Sequence, residues 1–373
     1  MPQEKGLDMK ILYVITSLDG GGAQNLLVDV CAALKKNNEI TVVFLRNLKT
    51  YEQQLIKLGI DVVFLDIEKL GSFLCIFRLK KIITQKNINI LHTHLLAADS
   101  IGRLAGLLSF GKFKIISTMH RDDLWRKEKK MSYALIKLFN RFTVNCLKKV
   151  ELIAVSNSVK EHCVKYEGIN SNKISVIYNF INCENAIKNS VDFTPMYKTD
   201  NDFFIVTAAR LEPEKRQLDI LKALSGVNTS KKIHLNILGT GGMADELFRF
   251  VSDNNIKNVN FLGFKTNLYD YYSQADLFIL ASDSEGQSIA ILEAFHCSVP
   301  VLASSITANS ELLRNGCRGV LFEVGDIQDL SQKITDFADG KVDIEKIKGN
   351  AKEFCDSLTV ENHVNKLMEI YKR

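Results

Sequence analysis

The sequence predicts an α/β protein built from two consecutive parallel sheets, each flanked by helices. Three observations carry that expectation. Short runs rich in Ile and Val alternate with helical patterns, as in doubly wound sheets whose strands are buried on both faces. The alternation stops over a polar stretch near the middle of the chain and then restarts. A length of 373 residues is long for one core and comfortable for two.

The first half places strands at 11–15, 40–45, 61–66, 88–94, 114–120, 151–156 and 174–179. Between the first two, Ala23, Leu26, Leu27, Val30, Ala33 and Leu34 recur at helical spacing. Residues 183–202 are polar, carry one of only four prolines, and read as a linker. Strands resume at 203–210, 233–239, 258–263, 275–282, 299–304 and 319–324, and a helix closes the chain. The predicted domains are 1–190 and 191–357, with the helix of 358–373 packing back on the first.

Composition narrows the class. Hydrophobic residues at 46% and charged residues at 24% suit a globular chain. The polar opening MPQEKGLDMK argues against a signal peptide, and no apolar run reaches the roughly 20 residues of a bilayer span. Eight scattered cysteines without a C-x-x-C pair argue against a zinc site and a disulfide framework, and for a reducing cytoplasm. Charge is uneven: residues 1–190 carry 28 Lys+Arg against 17 Asp+Glu, and the remainder 20 against 26. The basic half fits either an anionic partner or a solvated basic face.

Open parallel sheets bind ligands beyond the carboxyl ends of their strands. After the first strand, Leu18-Asp19-Gly20-Gly21-Gly22-Ala23 opens a helix whose amides can hold a phosphate, although a tight turn also needs glycine. Gly239-Thr240-Gly241-Gly242-Met243-Ala244 fits G-x-G-x-x-A, but the next strand ends Phe261-Leu262-Gly263, without the acidic residue of a dinucleotide site. In Arg210-Leu211-Glu212-Pro213-Glu214-Lys215 two cations follow a strand; they serve either solubility or the neutralisation of a diphosphate. The segment Ser282 to Phe295 sets Glu285 in a loop and Glu293 eight residues on, two turns along the next helix, with helix-start amides from Gln287 to Ile289. Asp200-Asn201-Asp202 has the D-x-D form of metal-dependent transferases but lies in the linker, and is read as coincidence.

Taken in order, these segments resemble the retaining nucleotide-sugar glycosyltransferases of GT-B fold, family four. Glu285 and Glu293 resemble the E-x7-E signature, Gly21-Gly22-Ala23-Gln24 the G-G-A-E loop, and His92-Thr93-His94 the H-x-H strand end. Thr118-Met119-His120 resembles T-x-H, Ala154-Val155-Ser156 A-V-S, Val176-Ile177-Tyr178-Asn179 V-I-x-N-G, and Arg210 with Lys215 the R-L-x-x-x-K pair. The likeness runs nearly the whole chain. It implies two Rossmann-like domains with parallel sheets facing across a cleft, the first serving the acceptor and the second the donor. It further implies that Arg210 and Lys215 hold the donor diphosphate, assisted by Gly21 and the amide of Gly22. Glu285 and the amides of Gly286, Gln287, Ser288 and Ile289 would face the transferred sugar. Glu293 would accept the ribose hydroxyls, His120 would touch the sugar, and Phe264 would border the base. His92 and His94 are read first as hydrogen-bonded histidines ending a strand, with substrate contact as the alternative. The chain departs from the family at Phe180 and Ser298, where glycine is usual, and at Thr307-Ala308 in place of Gly-Gly before Glu311.

The implied reaction moves a hexose or N-acetylhexosamine from a nucleotide-diphosphate sugar, UDP-sugar favoured, to a saccharide or lipid-linked saccharide, with retention and without a metal cofactor. The setting it implies is bacterial lipopolysaccharide or capsule assembly in the cytoplasm, at the inner face of the membrane. No nucleic-acid partner is expected. Fixed cations and amides would stabilise the charge that builds on the leaving diphosphate. Residues 127–150 form a helical pattern that aligns Lys130, Lys137, Arg141 and Lys148, with Met131, Leu135, Phe139, Cys146 and Val150 on another side. Such a stripe suits an anionic membrane and also a solvated outer face. The competing readings are a nucleotide-sugar epimerase or phosphorylase of related fold, and a non-catalytic nucleotide-sugar-binding protein.

Overall fold

The computed structural model describes residues 9–121, 131–182, 198–265 and 268–373. The chain forms two compact units, Met1–Asn179 with Val360–Arg373, and Phe180–Thr359. Most of the linker expected at 183–202 lies outside the described residues.

The first unit is built on β1 (Lys10–Ile15), β2 (Glu39–Phe44), β3 (Asp61–Phe64), β4 (Ile90–His94), β5 (Lys114–Met119), β6 (Val150–Ala154) and β7 (Ile174–Val176). Its sheet is parallel, in the order β3-β2-β1-β4-β5-β6-β7. Strand order reverses between β1 and β4, which makes their carboxyl ends a topological switch point. Leu12, Val14, Leu91, Ile115 and Leu152 are buried in its core because both faces carry helices. Gly102 lets the helix Leu96–Leu107 lie close on the sheet, since a Cβ there would come within 2.5 Å of Thr93 Cγ2.

A fully buried charge ties this helical layer together. Arg103 pairs with Asp99 and donates to Asn140 at 3.3 Å and Thr143 at 3.0 Å, while Asn140 donates to Glu167 at 2.6 Å. The network joins the helices Leu96–Leu107, Met131–Cys146 and Asn157–Glu167. The terminal helix Val360–Lys372 packs against Gly22–Leu34, and Tyr371 reaches Tyr13, hydroxyl to hydroxyl at 2.9 Å.

The second unit carries β8 (Asp202–Ala208), β9 (Lys232–Leu238), β10 (Val259–Gly263), β11 (Leu277–Leu280), β12 (Val301–Ser304) and β13 (Val320–Phe322). This sheet is also parallel, in the order β10-β9-β8-β11-β12-β13, with its switch point between β8 and β11. Ile205, Leu235, Ile279 and Leu302 form its buried centre. Asp202 opens β8: it accepts from Thr199 at 2.6 Å and meets His234 Nε2 at 2.7 Å. Those bonds hold its carboxyl well below the usual range and give the D-x-D segment a structural role.

Candidate active site

In the second unit the switch point gathers the charged residues picked out in the sequence. β8 and β11 are neighbours, so the loops that leave them meet. Lys215 ends the short 3-10 turn Pro213–Lys215, and its Nζ lies 2.6 Å from Glu285 Oε1, both side chains mostly buried. The amide of Asp283 donates to the carbonyl of Glu214 at 3.0 Å, which fixes one loop on the other. An ammonium group has three donors, so the bond to Glu285 leaves capacity for a phosphate oxygen. Arg210 is 61% exposed and touches Glu214 at 3.4 Å, which leaves its guanidinium free to reorient.

Glycine shapes this loop. A Cβ on Gly239 would sit 1.9 Å from the carbonyl oxygen of Ala209, and one on Gly241 2.4 Å from that of Leu211. Leu211 donates to Thr240 at 2.9 Å, and Met243 donates back to Leu211 at 2.8 Å. The G-x-G element therefore braces the backbone on either side of Arg210. Sequence alone offered only its likeness to a dinucleotide loop and the failure of that likeness.

The helix Ile289–His296 begins at a Ser288 N-cap, whose Oγ accepts from Ile291 at 3.4 Å. Gly286, Gln287 and Ser288 are buried just before it. Glu293 is the fifth residue of this helix, a turn inside it rather than the two turns counted from the sequence. The difference arises because the loop runs on to Ser288 before the helix starts. Burial raises the Glu293 carboxyl to about 7, opposed by a hydrogen bond from Tyr272 at 3.3 Å. Tyr272 is fully buried, edge-on to Phe278 with ring centroids 5.5 Å apart; sequence reasoning did not single it out. Its place among other tyrosines in the short helix Leu268–Tyr272 gave no signal to single it out. Phe264 follows Gly263 and is 52% exposed.

In the first unit, Gly21 is the N-cap of the helix Gly22–Leu34, and a Cβ on it would meet Gln24 Oε1 at 2.4 Å. His120 follows β5, and its Nε2 lies 2.9 Å from His94 Nδ1. His94 stacks on His92 with ring centroids 4.4 Å apart. His92 is closed on both sides, Nδ1 to Tyr371 at 2.6 Å and Nε2 to Thr118 at 2.7 Å, as a hydrogen-bonded strand-end histidine should be. His94 Nε2 is buried and has no partner among the described residues. It borders a cavity of about 30 Å³, the size of one water, shared with Tyr13, His120 and His363. Burial, with the neighbouring imidazoles, lowers His92 to about 3 and His120 to about 4, so these rings are neutral at pH 7. The terminal helix closes this cluster through Tyr371 and His363, a link across most of the chain that no local pattern reveals.

The helix Met131–Cys146 departs from its sequence reading. Leu135, on the side away from the basic stripe, is 67% exposed, and Cys146 is exposed too. The buried side instead carries Asn140, Thr143 and Val144, because the Arg103 network takes polar partners there. Arg141 and Lys148 are exposed, whereas Lys130 lies outside the described residues.

Two parallel sheets, each with its polar loops gathered at a strand-order reversal, define a GT-B α/β protein. Residues 20–185 match the family model Glycosyltransferase Family 4, and residues 193–354 match Glycosyl transferases group 1. Between them the two models take in nearly all of the chain, which belongs with the glycosyltransferases. An Escherichia coli UDP-Gal:alpha-D-GlcNAc-diphosphoundecaprenol alpha-1,3-galactosyltransferase is 27% identical over 317 residues, 82% of this chain and 80% of that protein. The Escherichia coli O-antigen biosynthesis glycosyltransferase WbnH is 26% identical over 357 residues, 95% of this chain and 96% of its own length. HepE from Anabaena, solved in complex with UDP-glucose, superposes with a TM-score of 0.81 at 19% identity, covering 98% of this chain and 99% of that one.

Proposed function

We propose that this enzyme transfers a hexose or N-acetylhexosamine from a UDP-sugar to a lipid-linked saccharide, with retention, in bacterial surface-polysaccharide assembly at the cytoplasmic face of the membrane. The observation that carries the reading is the joining of the β8 and β11 loops, which brings Lys215 to Glu285 with Arg210 close by. The galactosyltransferase relative acts, by its name, with UDP-Gal on a diphosphoundecaprenol-linked sugar, which supports both donor and acceptor. Arg210 and Lys215 neutralise the departing diphosphate, where charge grows most in the transition state. Glu285 and the amides of Gly286–Ile289 meet the transferred sugar, Glu293 takes the ribose hydroxyls, Phe264 borders the base, and neutral His120 and the Gly21–Gly22 turn take part in substrate binding. No metal ion takes part.

The test is direct. UDP-, GDP- and ADP-sugars are screened by thermal shift, since a ligand that binds the native state raises apparent stability. Turnover is then measured for Lys215→Ala and Arg210→Ala, with and without EDTA. UDP-sugars should stabilise the protein, each variant should lose about 100-fold or more in kcat, and EDTA should leave the wild type active. Near-normal kcat in either variant would overturn the leaving-group assignment. Loss of activity in EDTA, restored by manganese or magnesium, would overturn metal independence.

A further inference from the structure

The outward face of one helical layer in the first unit is apolar and cationic at once. Three of its helices carry that face. Ile67–Gln85 packs on Leu96–Leu107, and Arg103 ties the latter to Met131–Cys146. The helix Ile67–Gln85 turns Phe73 (71% exposed), Leu74 and Phe77 to solvent, with the two phenyl rings edge to face at 4.7 Å. Phe110, 88% exposed, follows the middle helix, and Lys80 Nζ lies 5.7 Å from its ring centre. The third helix exposes Leu135, Leu138 and Phe142, a stripe at helical spacing.

Charge over most of this face has one sign, the exposed Glu68 in the first turn of Ile67–Gln85 being the exception. From Lys69 to Arg121 and from Met131 to Lys149 the sequence has a single acidic residue, Asp99, and it is buried against Arg103. Arg78, Lys81, Lys112, Arg141 and Lys148 are exposed over the same segments. A soluble surface rarely groups large apolar side chains this way, and a face meant only for solubility would carry both charge signs. Aromatic rings beside lysines suit the headgroup level of a bilayer, where the rings enter the acyl boundary and the cations meet lipid phosphates. No helix among the described residues is long and apolar enough to cross a membrane, so the layer would lie on the surface.

We infer that the layer made by the helices Ile67–Gln85, Leu96–Leu107 and Met131–Cys146 docks on an anionic lipid bilayer by inserting Phe73, Phe77 and Phe110 among cationic neighbours. The inference rests on the reading of a lipid-linked acceptor and extends it: attachment is by apolar insertion as well as by the basic stripe of one helix. Insertion and charge separate by salt, because screening shortens to about 3 Å at 1 M while buried apolar area is unaffected.

The experiment is vesicle flotation of the full chain with mixed phosphatidylglycerol–phosphatidylcholine vesicles and with phosphatidylcholine alone, at low and high salt. Size exclusion and UDP binding are run in parallel. Wild type should float with the mixed vesicles and keep part of that binding at high salt. The triple variant Phe73→Ser/Phe77→Ser/Phe110→Ser should lose about tenfold or more in partitioning, with unchanged circular dichroism and UDP affinity. The variant Arg78→Gln/Lys81→Gln/Arg141→Gln should lose its preference for phosphatidylglycerol. Equal flotation of wild type and triple variant, or no flotation of wild type, overturns the inference. So does a wild-type dimer that the triple variant abolishes, which would assign the face to a second copy of the chain. Flotation without affinity for UDP would overturn the donor assignment and leave the docking face standing.

Discussion

Glu293 and Tyr272 show how one hydrogen bond can tune a buried carboxyl. A carboxyl near 7 is partly protonated under ordinary conditions, and the proton must leave if both oxygens are to accept ribose hydroxyls. UDP affinity should therefore rise between pH 6 and 8 in isothermal titration. The Tyr272 bond holds the Glu293 pKa down, so Tyr272→Phe should move that rise to higher pH. Glu293→Gln should weaken binding and leave only the titration of the nucleotide's own phosphate. A pH profile unaltered by Tyr272→Phe would make the tyrosine a packing residue and nothing more. The glutamate was legible in the sequence through its spacing from Glu285. Its partner was not, because nothing marks out one of three tyrosines in a short helix until the fold turns its hydroxyl toward a carboxylate.

At the scale of elements, the loops are set by backbone demands. Ser298 has φ +56°, in the left-handed region that costs a side chain about 1–2 kcal/mol, and it stands where the family usually has glycine. Ser298→Gly should raise stability by about 0.5–1 kcal/mol, the strain relieved less the added entropy of an unfolded glycine, as read from urea denaturation midpoints. A fall in stability would show that the serine hydroxyl outweighs the strain. Gly239 makes the opposite case, with φ +130° and a carbonyl 1.9 Å from any added Cβ. The strand-helix alternation was readable from period and composition alone. The start of the helix Ile289–His296 was readable to within two residues, the loop running on through Gly286 and Gln287 to the Ser288 N-cap.

For the whole molecule, His92 and His120 in the first unit and Glu293 in the second respond to acid with opposite signs, Glu293 being partly offset by the neighbouring His296, which burial lowers. His92 and His120 have native pKa values of about 3 and 4 against 6.5 when unfolded, so between pH 6.5 and about 4 the unfolded chain binds more protons. The first unit should lose up to about 1.4 kcal/mol per pH unit for each such histidine across that window. Glu293 works the other way, because its raised pKa makes the native second unit bind more protons between 4.5 and about 7. Its contribution is full below 4.5 and fades as pH rises to 7. Hydrogen exchange from pH 7 to 5 should show protection falling for β4 and β5 more than for β8 and β11. Equal loss in both sheets would remove the buried histidines as the cause.

By itself the sequence determined the two parallel sheets, the glycine-bearing turns and the charge set Arg210, Lys215, Glu285 and Glu293. Each of these depends on local periodicity or on residue type immediately after a strand. Only the tertiary structure decided that Lys215 and Glu285 touch, because their meeting depends on β8 lying beside β11, which is 70 residues away in the case of this pair. It alone showed that the terminal helix completes the histidine cluster, through a Tyr371–His92 bond spanning 279 residues. It also changed one side of the reading of the helix Met131–Cys146, where Arg141 is exposed but Leu135 is exposed as well. Periodicity finds the apolar side of a helix and assumes that side is buried; here a buried arginine drew Asn140 and Thr143 inward and left Leu135, Leu138 and Phe142 facing out.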